Sequence, residues 1–61
     1  MANNITIKAH NVYRAIRHLD DSAIDYEQYE NTDGTVHITI KEIDSEIVDS
    51  IIDKLQEIDI G

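Results

Sequence analysis

This chain has one place where it is built to reverse sharply, and that place lies between two strand-like runs. Asn31-Thr32-Asp33-Gly34-Thr35 has the composition of a type I turn followed by a left-handed glycine. Because the sequence holds only two glycines and no proline, this turn constrains the fold more than any other local signal. It predicts a hairpin with arms at residues 24–30 and 35–41, joined by a three-residue loop with a G1 bulge. The loop sets the register: Tyr26 faces Ile40, Gln28 faces Ile38 and Glu30 faces Val36. On the other side Asp25 faces Lys41, Glu27 faces Thr39 and Tyr29 faces His37. A two-residue Asp-Gly turn would slip the pairing by one and put Glu27 opposite Ile40 on the core side.

The flanking segments read by period. After a short loose start at residues 1–3, Asn4 to Ala9 alternates, with Ile5, Ile7 and Ala9 on one face of a half-buried strand. From Asn11, placed as an N-cap, the period becomes helical: Val12, Ala15, Ile16 and Leu19 form one stripe, and Asp20-Asp21-Ser22 ends it. Asp44 caps a second helix, with Ile43 and Val48 spaced as a hydrophobic staple. Ile47, Val48, Ile51, Ile52, Leu55 and Ile58 make its apolar stripe, opposite Glu46, Asp49, Ser50, Asp53 and Glu57.

The order strand, helix, strand, strand, helix predicts an α+β fold. It is a β-α-β-β-α two-layer sandwich, with a three-stranded antiparallel sheet of order 2-3-1 and both helices on one face. At 61 residues, positions 1–61 form a single small acidic domain. Hydrophobic residues are 41% of the chain, twelve of them isoleucine, which separates it from charged disordered tails. A core this small seldom supplies more than about 3–5 kcal/mol. A homodimer through the second helix, with Ile47, Ile51, Ile52 and Leu55 as its seam, is therefore one expectation.

Several chemistries lack their parts. There is no cysteine, and of Ser22, Ser45 and Ser50 the last two lie within or beside the capped helix with no histidine nearby in sequence. No glycine-rich loop is available to cradle phosphate, and His10, His18 and His37 show no metal-ligand spacing. The reading is a non-enzymatic protein with no cofactor and no metal. An open sheet face with Lys8, Tyr29, His37, Thr39 and Lys41 is a lesser candidate for a small ligand, although a ligand site normally needs a concave, mostly apolar pocket. Apolar runs stop at two residues, so neither a membrane span nor a signal-peptide core is expected. Absence of cysteine fits a reducing compartment, and the expected location is cytoplasmic.

Charge is the feature that stands above background. Thirteen acids against five Lys and Arg give a net charge of −8, which argues against direct contact with nucleic acid or an anionic membrane. The charges are segregated: residues 1–19 hold Lys8, Arg14 and Arg17 and no acid, and all 13 acids lie beyond. Glu46, Asp49, Asp53 and Glu57 recur at helical spacing, about 6 Å of rise per four residues. That approaches the roughly 7 Å between phosphates of an extended DNA strand. Asp25, Glu27 and Glu30 are expected to extend the negative field over the hairpin. The pattern suggests an acidic surface that docks a basic, nucleic-acid-handling protein as a DNA mimic. In kind, it is like the small inhibitors that phages and mobile elements direct against host defence. A solvated, solubilising helix face is the plainer account of the same acids.

Overall fold

A computed structural model describes residues 3–61. Strand β1 (Asn4–Lys8) leads through a short 3-10 turn (Ala9–Asn11) into helix α1 (Val12–Asp21). Strands β2 (Tyr26–Glu30) and β3 (Thr35–Ile40) follow, and helix α2 (Ser45–Ile60) closes the chain. The sheet order is β1-β3-β2 and both pairings are antiparallel, so the expected two-layer α+β sandwich is the fold observed.

The hairpin has the predicted register throughout, from Tyr26 opposite Ile40 to Glu30 opposite Val36. Gly34 takes φ 86° at the bulge, where a side chain would be strained. Local side chains brace the loop. The Thr35 hydroxyl and N–H donate to Asp33 at 2.6 and 3.1 Å, and the Asn31 amide donates to the Thr35 hydroxyl at 2.9 Å. The two Thr35 donors, the hydroxyl first, hold the Asp33 carboxyl below its ordinary range.

Alternation puts Ile7, Val36, Ile38 and Ile40 on the inner face of the sheet, fully buried against Ala15 and Leu19 of α1 and Val48, Ile51 and Leu55 of α2. The helix α2 lies along β1, and α1 packs against α2. On β2 the inner-face positions are Tyr26, Gln28 and Glu30; only Tyr26 is half-buried, and the other two are exposed.

Five local expectations are corrected. Ala9 is exposed, because β1 ends at Lys8 and the chain turns before a third inner-face residue is needed. Asn11 stands at the N-cap position but in a helical conformation, and its side chain does not cap α1. It is buried instead and reaches across to the end of α2, described below. Helix α1 ends in the expected Asp20–Ser22 segment, with Asp21 its last residue, but the cause is not the acids themselves. The stop is a Schellman turn in which Ala23 N–H donates to Asp20 O and Ile24 N–H to Leu19 O. Ala23 takes the left-handed position, φ 56°. Asp44 does cap α2, accepting from the N–H groups of Glu46 and Ile47, but the staple fails: Ile43 is 97% exposed while Val48 is buried. Glu42 accepts from the N–H groups of Ile43 and Asp44, fixing this turn locally with the Ile43 side chain in solvent. Finally, of the expected loose start, residues 1 and 2 lie outside the described residues. Asn3 is bound to Ile40 through both its carbonyl and its side-chain amide.

Candidate functional site

The acidic row forms as helical spacing requires. Glu46, Asp49, Asp53 and Glu57 are all exposed along α2, on the side away from the buried Val48, Ile51 and Leu55. A row of this kind spans roughly 16 Å of helix axis. Neighbouring carboxylates fall within a Debye length of about 8 Å at physiological salt, so their fields add. One cation shares the surface: Lys54 Nζ lies 3.8 Å from Glu57 Oε2, with both groups largely exposed. Such a pair contributes little to stability.

The hairpin acids do not join this row. Glu27 shares the outer face of the sheet with Tyr29, His37 and Thr39, on the layer opposite α2. Asp25, by the same alternation, belongs with Glu27, while Glu30 projects on the inner side beyond the reach of the helices. The expected Asp25–Lys41 partnership is made only by the backbone, where Lys41 N–H donates to Asp25 O at 2.9 Å. The Lys41 ammonium goes to Glu27 Oε1 at 3.1 Å, part-neutralising the outer face. The seven acids therefore divide between two surfaces, and the four on α2 form the coherent one.

The apolar seam is also redistributed. Leu55 and Ile51 belong to the chain's own core, Ile52 is half-buried, and Ile47 is exposed, as is Ile43. A seam that used Leu55 would have to dismantle the core it completes.

Other groups have mostly structural partners. Thr6 Oγ1 and His37 Nδ1 are 3.2 Å apart on the outer face, where Glu27, Tyr29, His37 and Thr39 line a shallow trough. Among the described residues, no group of three His, Asp or Glu side chains is placed to hold a metal ion. No helix among the described residues is long and apolar enough to cross a membrane. The Tyr26 hydroxyl is pushed above its ordinary range, first by desolvation and then by the Asp20 carboxylate at the end of α1.

A cluster that sequence reasoning missed joins the two ends of the molecule. Asp59 Oδ1 accepts from the backbone N–H of Lys8 at 2.9 Å and from the Asn11 amide at 3.0 Å. The same Asn11 amide donates to the Asp59 carbonyl at 3.0 Å. These donors, the Lys8 N–H foremost, hold the Asp59 carboxyl below its ordinary range. Nothing local in the sequence signals a pairing across 48 residues. The one hint is an acid in the last turn of a helix, where the dipole disfavours it unless something else holds it.

The chain matches no protein-family model, no curated protein and no solved structure.

Proposed function

We propose that this protein is a non-enzymatic, cytoplasmic inhibitor or regulator that docks the outer face of α2 against a basic, nucleic-acid-binding site of a partner protein. The observation carrying this reading is the exposed row Glu46, Asp49, Asp53 and Glu57 on a helix whose opposite side is committed to the core. Such a helix presents its charges on a rigid element, at a pitch a phosphate-binding groove accommodates. Electrostatic complementarity of this kind raises the association rate and makes binding sensitive to salt. Direct contact with nucleic acid is disfavoured by the net charge of −8. The role is that of a DNA mimic, of the sort used by phages and mobile elements against host defence.

The test is affinity capture from cell extract at low salt, with the double reversal Asp49→Lys/Asp53→Lys as control. The expected partner is released by salt, is displaced by duplex DNA, and binds the double reversal at least about tenfold more weakly. A captured protein that DNA does not displace, or that binds both forms equally, would overturn the reading.

A further inference from the structure

We propose that two copies of this chain associate along β2, edge to edge, into one continuous six-stranded antiparallel sheet. The starting point is the parity of the backbone. In the hairpin, Asn31 N–H donates to Thr35 O and Lys41 N–H donates to Asp25 O. Antiparallel pairs alternate between bonded and non-bonded, so residues 25, 27, 29 and 31 turn their peptide groups toward β3. Those of Tyr26, Gln28 and Glu30 therefore point out from the edge, where no further strand lies among the described residues.

A second β2, related by a two-fold axis at Gln28, brings the same outward groups into register. Gln28 meets Gln28 of the second copy, and Tyr26 meets Glu30 in both directions. All three pairs are of the bonded type, exchanging about six backbone hydrogen bonds in total. The side chains agree with this register. In Tyr26-Glu27-Gln28-Tyr29-Glu30 each glutamate then falls opposite a tyrosine: Glu30 faces Tyr26, and Glu27 faces Tyr29. No carboxylate is directly opposed to another. The diagonal approach of the two Glu27 side chains is relieved by Lys41, which already holds Glu27 at 3.1 Å. Shifting by two residues to the next bonded register in one direction sets Glu27 against Glu27, which like-charge repulsion disfavours. The shift in the other direction pushes Tyr26 against the turn and keeps fewer pairs. The acids on this edge thus admit one register rather than barring all of them.

The occupant is a second copy because the complementarity is that of the strand with itself. A five-residue edge falls at the small end of interface sizes, so the dimer is weak and reversible. It leaves both α2 acidic rows free, since α2 lies over β1 at the far edge.

Sedimentation equilibrium of the intact chain from about 10 μM to 1 mM tests this, together with oxidation of single-cysteine variants in a protein that has no native cysteine. Expected are a monomer–dimer equilibrium that added salt tightens, by screening two copies of charge −8, and dissociation raised about tenfold by Gln28→Glu. Ile47→Lys leaves the dimer intact. Gln28→Cys forms an intermolecular disulfide across the axis. Glu30→Cys does not, because its counterpart lies about 13 Å along the strands. A monomer at 1 mM (about the upper end of the range) would overturn the proposal. So would a dimer that Ile47→Lys abolishes, one that Gln28→Glu leaves unchanged, or equal crosslinking at both cysteines.

Discussion

The two edges of the sheet are finished in opposite ways. Strand β1 has α2 lying along it and a fully buried Ile7, and its outward N–H at Lys8 is taken by Asp59 from the last turn of α2. Among the described residues, strand β2 is held in the sheet by β3 alone, carries two exposed residues on its inner face, and has no strand beside its outward peptide groups. A chain of this size has too little helix to treat both edges alike. A helix of sixteen residues is about 24 Å long and lies along β1, while the shorter α1 packs against α2 and meets β2 near Tyr26, whose hydroxyl lies by Asp20. The β1 edge is braced by α2 packed along its strand and clasped at one point, the Lys8 N–H. The other is guarded only by its own sequence.

The comparison breaks most readily at its core. Ile7→Ala on the braced edge should cost about 2–4 kcal/mol, most of what a domain this small possesses, whereas Gln28→Ala on the open edge should change stability by less than about 0.5 kcal/mol. Urea midpoints for the two variants, measured well below any dimer dissociation constant, check this. Equal losses would mean that β2 is as deeply integrated as β1.

The clasp comes next. Asp59→Ala takes the carboxylate acceptor away from the Lys8 N–H and from the Asn11 amide, which keeps the Asp59 carbonyl, and should cost about 1 kcal/mol. Because the Asp59 carboxyl titrates below its ordinary range in the folded state, its contribution is complete above the unfolded value, near pH 4, and is lost as pH falls through the depressed one. Wild type should therefore lose more stability than Asp59→Ala between about pH 5 and pH 2. Parallel acid profiles for the two proteins would show that the clasp contributes nothing.

The smallest effect lies at the entrance to β2. Ala23 sits left-handed at φ 56°, a conformation that costs a residue with a Cβ roughly 1–2 kcal/mol. Glycine removes that strain but loses more freedom on folding, so Ala23→Gly should stabilise by about 0.5–1 kcal/mol. Thermal unfolding would record a midpoint a few degrees higher. An unchanged or lower midpoint would place the strain elsewhere in the Ser22–Ile24 turn.

Much of this architecture was legible in the residues. The Asn31–Thr35 turn gave the hairpin register, period separated the strands from the helices, and Asp44 marked the start of α2. The acidic row on α2 followed from spacing alone, since exposed helical positions repeat regularly wherever the helix lands. What spacing does not carry is the relation between layers. It therefore grouped Asp25 and Glu27 with α2 acids that lie on the opposite surface, and assigned Leu55 to a seam when it fills the core. It likewise used Asn11 and Ile43 as local helix-end devices, although one is drawn to Asp59 and the other points into water.

By itself, then, the sequence determined the elements, their order, the hairpin pairing and the residues of the acidic helix face. Each depends on contacts within a turn, a strand pair or a few helical turns. Only the tertiary structure decided which sheet edge α2 braces, which acids share a surface, and that Asn11 and Asp59 meet. Those outcomes depend on where separate elements come together, and a side chain follows the partner brought within reach rather than the one nearest along the chain.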